Sequence, residues 1–183
     1  MQTINEDIKN GTFKPVYLLY GEEAFLKQSY KKKLRAAISG DDTMNYNYFE
    51  GKGLDVNELI SLADTMPFFS ERRLILIEDS GFFKNANQQL AEYIPSIPEE
   101  TIMLFVESEV DKRGKLYKAV SKKGSVVEFT AQNEQTLTRW ILGILKTEGK
   151  MITSGAMKQF LEKTGTDMER IRQELEKLIC RIY

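Results

Sequence analysis

The residues whose types and spacing most clearly suggest a chemical function lie between the first apolar run and the first amphipathic segment. Residues 21–28 read GEEAFLKQ and match the phosphate-loop pattern G-x-x-x-x-G-K-[S/T] only at Gly21 and Lys27. Leu26 and Gln28 replace the second glycine, which lets the backbone wrap a phosphate, and the hydroxyl that binds magnesium. The two glutamates after Gly21 would each oppose a phosphate at ~4 Å by about 1 to 4 kcal/mol. Whether the stretch is a decayed phosphate loop or an ordinary strand–turn–helix connection, it predicts no ordinary binding of a nucleotide triphosphate.

A second motif, an acidic pair, follows an apolar run further along the chain. Glu78 and Asp79 come directly after Leu74–Ile77, where phosphate-loop ATPases place the acidic pair that holds magnesium, but in the inverted order. Because the phosphate loop is incomplete, we interpret these acids as residues that cap a strand end. An ATPase that uses Lys27 for phosphate and Asp79 for magnesium remains an alternative. The preferred interpretation predicts no catalytic residue, no cofactor and no metal site.

The composition excludes several other kinds of chemistry. The chain has 183 residues, no histidine and one cysteine, with 26 basic and 27 acidic residues. The lack of histidine excludes imidazole bases and Ser-His-Asp relays, and one cysteine excludes an internal disulfide or a four-cysteine zinc module. Low cysteine content and the lack of a bilayer-spanning apolar run indicate a cytoplasmic protein without a membrane segment. A net charge of −1 argues against bulk nucleic-acid binding by this chain alone.

The pattern over the first two thirds of the chain predicts an α/β domain. Short apolar runs alternate with amphipathic segments, and a run such as Leu74–Ile77 is typical of a parallel strand buried on both faces. We expect a five-stranded parallel sheet with flanking helices. The predicted strands cover residues 16–21, 46–50, 74–77, 102–106 and 125–129, and the predicted helices cover residues 22–38, 56–63, 87–94 and 115–121. The aromatic residues of the second strand, Tyr46, Tyr48 and Phe49, are predicted to be core residues.

The last third of the chain has no strand pattern. Three helices are predicted there, over residues 135–147, 154–163 and 168–183. We therefore predict an α/β domain over residues 1–132 and a helical domain over residues 133–183. The last predicted helix runs to Tyr183 without a stop signal, which favours a fragment of a longer protein.

Three short motifs lie in order along most of the chain: FKPVYLLYGEE at 13–23, DKRGKLYK at 111–118, and GTDM at 165–168 followed by ELEKL at 174–178. As a set they resemble the delta subunit of the bacterial DNA polymerase III clamp loader. The resemblance implies a degenerate AAA+-like α/β fold of the phosphate-loop type, followed by a small all-α, three-helix, lid-type domain. The family's collar-forming third domain has no counterpart here. The ATP-hydrolysing and delta-prime subunits fit less well, because they carry a cysteine-rich zinc module.

The resemblance implies a mechanical function without catalysis. A delta subunit binds the ring-shaped sliding clamp, the beta subunit, and opens it for loading onto primed DNA. Neighbouring subunits bind and hydrolyse ATP, so no cofactor is implied for this chain. The implied partners are the clamp, the delta-prime and gamma/tau subunits, and primed DNA within the assembled loader. The family's clamp-binding element lies between the second helix and the third strand, where this chain has Met66, Pro67, Phe68 and Phe69.

The segment around Pro67 has the properties of a binding surface even without the resemblance. Three large apolar side chains lie within four positions on a connection between a predicted helix and a buried strand. Such clusters are unusual on exposed loops unless they bind something. The alternative is that Phe68 and Phe69 turn inward and close the end of the sheet.

Two basic stretches leave a third hypothesis open. Five lysine or arginine residues lie between positions 27 and 35, and six lie between positions 112 and 123. A solvated face is the favoured interpretation of the first stretch, and the second is equally consistent with solvent, a partner subunit or DNA. A DNA-binding module would use both stretches, and its affinity would fall steeply with salt.

Overall fold

A computed structural model describes residues 1–85 and 87–181 of the chain. Within them the chain divides into two units, Met1–Phe129 and a second unit that starts at Thr130. Each unit has its own buried apolar residues.

The first unit is built on a five-stranded parallel sheet in the order β2-β3-β4-β1-β5. The strands are β1 Val16–Tyr20, β2 Tyr46–Glu50, β3 Arg73–Glu78, β4 Thr101–Glu107 and β5 Ser125–Glu128. Every residue of β1, β3 and β4 is buried, which explains why these strands read as continuous apolar runs. The predicted α/β fold class is confirmed.

Helices cover both faces of this sheet. They are α1 Gln2–Asn10, α2 Ala24–Ser39, α3 Val56–Ala63, α4 Gln88–Tyr93 with a 3-10 turn over Ile94–Ser96, and α5 Lys115–Lys123. Because side chains alternate along a strand, Leu18 lies in the core shared with α3, α4 and α5, whereas Leu19 lies in the core shared with α1 and α2. The sheet is therefore the middle of three layers.

Helix α1 is the element that the sequence pattern did not predict. Its two isoleucines, Ile4 and Ile8, are spaced by one helical turn among polar residues, which is too short a pattern to stand out. Ile4 is fully buried with the α2 side of the sheet. The helix is also tied to β1, because the Tyr17 hydroxyl donates to Asp7 at 2.7 Å. Tertiary packing, rather than local pattern, explains this helix.

The prediction that all three aromatic residues of β2 are core residues was wrong for Tyr48. Its side chain is 46% exposed, whereas Tyr46 and Phe49 are partly buried against the two faces of the core. The reason is topological. β2 pairs with β3 alone and forms an edge of the sheet, so its side chains are less covered than those of central strands.

The second unit is helical in its described part. It contains α6 Glu134–Thr147, α7 Ser154–Thr164 and α8 Met168–Arg181. Asn133 and Thr153 cap the first two helices, and Asp167 accepts a hydrogen bond from the Arg170 N–H at 2.8 Å. The predicted continuation of the last helix to Tyr183 falls outside the described residues at its final two positions. Across residues 1–85 and 87–181, no helix has the length and apolar character needed to cross a membrane.

Candidate functional site

An exposed apolar loop joins α3 to β3 at the amino end of the sheet; we call residues 64–72 the apolar loop. The side chains of Met66, Phe68 and Phe69 are 78%, 55% and 95% exposed, and Pro67 is half-buried between them. The rings of Phe68 and Phe69 meet edge to face, with centroids 4.5 Å apart and an interplanar angle of 81°. The two aromatic residues therefore face solvent and do not close the end of the sheet.

One buried side chain holds the backbone of the apolar loop. Asn45, which is 1% exposed, precedes β2. Its Oδ1 accepts the Phe68 N–H at 2.6 Å, and its Nδ2 donates to the Phe68 carbonyl at 2.9 Å. The backbone N–H of Leu74 in turn donates to the Asn45 carbonyl at 2.8 Å. Asn45 thus connects the middle of the apolar loop to the start of β3.

Asp42 orients the Asn45 side chain. The Asp42 carboxylate accepts from Asn45 Nδ2 at 2.8 Å and from the backbone N–H groups of Asn45 and Met44 at 3.1 and 2.9 Å. These hydrogen bonds, with that from the Asn45 side chain the strongest, lower the pKa of Asp42. An ionised carboxylate only accepts hydrogen bonds, so the NH2 group of the amide faces Asp42.

A second anchor is the first residue of β3. The buried Arg73 guanidinium donates through Nε to the Thr65 carbonyl and through Nη2 to the Met66 carbonyl, both at 3.2 Å. Its Nη1 donates to Asn47 Oδ1 at 3.1 Å. Asn45 and Arg73 therefore fix the backbone on both sides of Pro67. Neither was identified as a site residue from the sequence.

The far end of the apolar loop is held to the start of the chain. The Arg72 guanidinium lies 5.2 Å from the centre of the Phe13 ring and donates to the Gly11 carbonyl at 3.3 Å. Phe69, the most exposed of the three apolar residues, has a φ of 49°, which is unusual for a residue with a bulky side chain. Such a conformation persists where the surrounding structure determines it.

At the opposite, carboxyl end of the sheet, the connection that resembles a phosphate loop is closed by the chain itself. The Glu23 N–H donates to the Phe129 carbonyl at 3.0 Å. Gly21 has a φ of 115°, and a Cβ atom there would lie 2.3 Å from the same carbonyl oxygen. The backbone amide that could face a phosphate is thus used within the protein.

Lys27, the lysine in phosphate-loop register, is also engaged inside the protein. Its side chain is buried, and Nζ donates to the Glu107 carbonyl at 3.1 Å. Burial lowers the pKa of Lys27, although the nearby carboxylates of Asp79, Glu78 and Glu107 act in the opposite direction. The lysine connects α2 to the end of β4.

The acids at the ends of the strands are satisfied by neighbouring side chains. Glu78 pairs with Lys31 at 2.8 Å and accepts from Gln28 at 2.7 Å. Burial opposes ionisation of Glu78, but these bonds outweigh it and hold the pKa of Glu78 below its usual value. Asp79, the candidate magnesium ligand of the ATPase alternative, accepts from the Ser108 hydroxyl at 3.1 Å.

Glu107 forms a further buried contact at this end. Its carboxylate accepts from the Ser80 hydroxyl and from the backbone N–H groups of Ser80 and Gly81, the latter two at 3.2 Å. Burial raises the pKa of Glu107 despite these bonds. Among residues 1–85 and 87–181, no group of three or more acidic or cysteine side chains could hold a metal ion.

The two basic stretches are partly neutralised within the chain. Three of their members form ion pairs: Lys31 with Glu78, Lys112 with Glu128, and Arg113 with Asp111. Two others lie over aromatic rings: Lys33 over Tyr30 at 4.9 Å and Arg35 over Tyr46 at 4.3 Å. These cations therefore have contacts within the protein that a nucleic acid would have to compete with.

The family to which the chain belongs follows from comparison with known proteins. Residues 17–130 match the family described as "DNA polymerase III, delta subunit". The chain belongs to this family. The resemblance carried by the three sequence motifs is confirmed.

Two curated relatives match over most of this chain. DNA polymerase III subunit delta of Bacillus subtilis is 27% identical in an alignment that covers 94% of this chain and 54% of the relative. The probable DNA polymerase III subunit delta of Aquifex aeolicus is 20% identical in an alignment that covers 90% of this chain and 49% of the relative. The chain thus spans about half the length of the curated relatives it matches.

Solved structures agree with the fold described above. The Bacillus subtilis DNA clamp loader delta protein matches with a TM-score of 0.76 and 27% identity, over 99% of this chain and 57% of that chain. A DNA polymerase III gamma subunit-related protein of Thermotoga maritima matches with a TM-score of 0.55 and 10% identity, over 96% of this chain and 57% of that chain. The second likeness concerns the fold alone.

Proposed function

We propose that this chain is the clamp-binding part of a clamp-loader delta subunit, and that the apolar loop binds the sliding clamp. The observation that carries the proposal is the exposure of Met66, Phe68 and Phe69 on a loop whose backbone is anchored at both sides of Pro67. The family supplies the kind of partner, and the loop supplies a surface with no other evident use. The four clamp-binding residues are Met66, Pro67, Phe68 and Phe69.

The size of the aromatic pair is sufficient for such a contact. A phenylalanine side chain buries about 150 to 250 Å², which corresponds to about 4 to 6 kcal/mol at about 25 cal/mol per Å² before the costs of ordering and association. Phe69 is almost fully exposed in the free chain, so nearly all of its surface remains available for burial. Interfaces are commonly dominated by a few anchors of this kind.

The proposed mechanism is differential binding. A wedge opens a closed ring only if it binds the open conformation of the ring more tightly than the closed one, because only that difference shifts the equilibrium. A loop with a fixed backbone suits this function, since a flexible loop could adapt to the closed ring equally well. The clamp is the beta subunit, and opening it permits loading onto primed DNA during DNA replication.

The chain is proposed to act without catalysis, in the cytoplasm, within an assembly that contains delta-prime and gamma/tau subunits. Support comes from the carboxyl end of the sheet, where Lys27 and the Glu23 N–H are bonded to carbonyl groups of the chain. ATP hydrolysis is then a task of neighbouring subunits.

Addition of ATP and magnesium should leave the thermal midpoint of this chain unchanged, whereas a rise in midpoint that Lys27→Ala abolishes would support an ATPase instead.

Calorimetric titration of the chain with the sliding clamp of the same organism tests the proposal. We expect binding without nucleotide, with a negative change in heat capacity because apolar surface is buried. The Phe68→Ala/Phe69→Ala variant should bind about tenfold or more weakly while keeping the same circular dichroism spectrum. The control variant Leu142→Ala/Met151→Ala removes two exposed apolar side chains of the second unit and should bind normally. Equal affinity of the wild type and the phenylalanine variant would refute the proposal.

A further inference from the structure

The environment of Asn45 differs from that of an ordinary loop residue. It is almost completely buried, yet both N–H groups and the oxygen of its side-chain amide form hydrogen bonds. A buried amide without partners would be costly, so this site is built around the amide group. Two of the three bonds go to the backbone of Phe68, which lies 23 positions away in sequence.

We infer that Asn45 is a positioning residue for clamp binding, which acts by holding Phe68 and Phe69 in their binding conformation; the inference rests on the proposed function. The paired bonds to the N–H and C=O of Phe68 resemble the exchange between neighbouring strands, and they restrict the backbone dihedrals of that residue. The Phe68 and Phe69 rings contact each other, so a fixed backbone at Phe68 also orients Phe69.

Asp42 and Arg73 also help to hold the apolar loop in position. Asp42 holds the amide of Asn45 in the orientation that Phe68 requires, with the second N–H of Nδ2 bonded to its carboxylate. Arg73 independently holds the carbonyls of Thr65 and Met66. Asn45 directly precedes β2 and Arg73 begins β3, so both anchors connect the loop to the sheet. A preordered loop loses less conformational freedom when it binds, which increases affinity without any contact between Asn45 and the clamp.

The variant Asn45→Ala tests this inference in clamp titrations with the 183-residue chain. We expect affinity to fall by about tenfold, because the loop must then be ordered on binding. Asn87→Ala is the matched control. Asn87 caps α4 by accepting the Leu90 N–H at 2.9 Å, so its loss also lowers thermal stability but leaves the apolar loop unchanged. Normal clamp affinity of Asn87→Ala, beside weakened affinity of Asn45→Ala at a similar thermal midpoint, would support the inference.

A double-mutant cycle separates positioning from general damage. In the Phe68→Ala/Phe69→Ala background, Asn45→Ala should reduce affinity by no more than about twofold, because the side chains it positions are absent. Equal losses in both backgrounds would overturn the inference. Wild-type affinity of Asn45→Ala beside weak binding of the phenylalanine variant would overturn the inference alone. Wild-type affinity of the phenylalanine variant would overturn the proposed function and the inference with it.

Hydrogen exchange provides a measurement that does not need the clamp. In Asn45→Ala the Phe68 amide should exchange faster, because its acceptor is gone, while the amides of β3 from Ile75 to Ile77 change no more than they do in Asn87→Ala. Unchanged exchange at Phe68 would contradict the positioning function. Equal acceleration at Phe68 and at the β3 amides would also contradict it, since that result would indicate only a general loss of stability.

Discussion

The two ends of the sheet differ in which of their side chains have partners within the chain. At the carboxyl end, where open α/β sheets usually bind ligands, Lys27, Glu78 and Glu107 are bonded to other groups of the chain. At the amino end, the polar groups of the apolar loop are bonded to Asn45 and Arg73, whereas its apolar side chains face solvent. The charged groups at the carboxyl end are thus bonded within the chain, whereas the amino end has exposed apolar surface.

This difference predicts that variants at the two ends have different effects. Charged side chains that are buried at the end of a sheet need partners, because buried charges without partners are costly. Here the partners are internal, so the carboxyl end contributes to stability. Variants at that end should therefore reduce stability and leave clamp binding intact, and variants of the apolar loop should do the reverse.

The largest effect on stability is expected for Gly21→Ala. The new Cβ would lie 2.3 Å from the Phe129 carbonyl oxygen, at a φ of 115°, so we expect the free energy of unfolding to fall by about 3 kcal/mol or more. Gly53→Ala is the control, because Gly53 also has a positive φ but has open space around its missing Cβ. It should cost about 1 kcal/mol. Urea denaturation measures both, and equal losses would mean that the carboxyl end is not closed.

A smaller loss of stability is expected for Lys27→Met. The substitution keeps an apolar side chain of similar length but removes the Lys27 donor from the Glu107 carbonyl and one cation from the vicinity of three carboxylates. The free energy of unfolding should fall by about 1 to 3 kcal/mol. Lys32→Met, at an exposed position of the same helix, should change it by no more than about 0.5 kcal/mol. Unchanged stability of Lys27→Met would instead support the ATPase alternative, in which Lys27 binds phosphate.

Most of the fold could be predicted from local patterns. The run Leu74–Ile77 predicted a strand buried on both faces, and the structure places α2 on one side of it and α3 and α4 on the other. The Asp55 side chain caps α3 by accepting the Asn57 N–H at 2.8 Å, and aspartate is a preferred residue at this position. Helix α1 was not predicted because it depends on packing against the sheet, and the exposure of Tyr48 was not predicted because it depends on which strand forms the edge.

The candidate site could be predicted only in its exposed part. Met66, Phe68 and Phe69 form a contiguous apolar cluster that is visible in sequence. Asn45 is not visible in this way, because its contact with Phe68 joins positions 23 apart and an asparagine before a strand is an ordinary turn residue. The pairing of β2 with β3 brings the two together. A buried polar side chain that supports an exposed loop is a tertiary feature.

The smallest effect is a pH dependence at the carboxyl end. Burial raises the pKa of Glu107 above its ordinary value of 4.5. Between the unfolded and folded pKa values, the folded chain binds more protons than the unfolded chain, so stability falls as pH rises through that interval. Glu107→Gln removes this dependence. Measured by urea denaturation, the stability of the wild type should therefore decline relative to Glu107→Gln from about pH 4 upward, and the difference should level off above the folded pKa.

Glu78→Gln should give the opposite slope and is the comparison that makes the measurement decisive. Bonds from Lys31 and Gln28 hold the pKa of Glu78 below its ordinary value of 4.5, in spite of burial. The folded chain then binds fewer protons than the unfolded chain in the interval below 4.5, so this contribution to stability is present above that interval and is lost as pH falls. Relative to Glu78→Gln, the wild type should gain stability as pH rises and then level off. If the stability of the wild type relative to each variant changed with pH in the same direction, the pKa values of Glu107 and Glu78 would not be shifted in opposite directions. The burial of Glu107 would then not explain its behaviour.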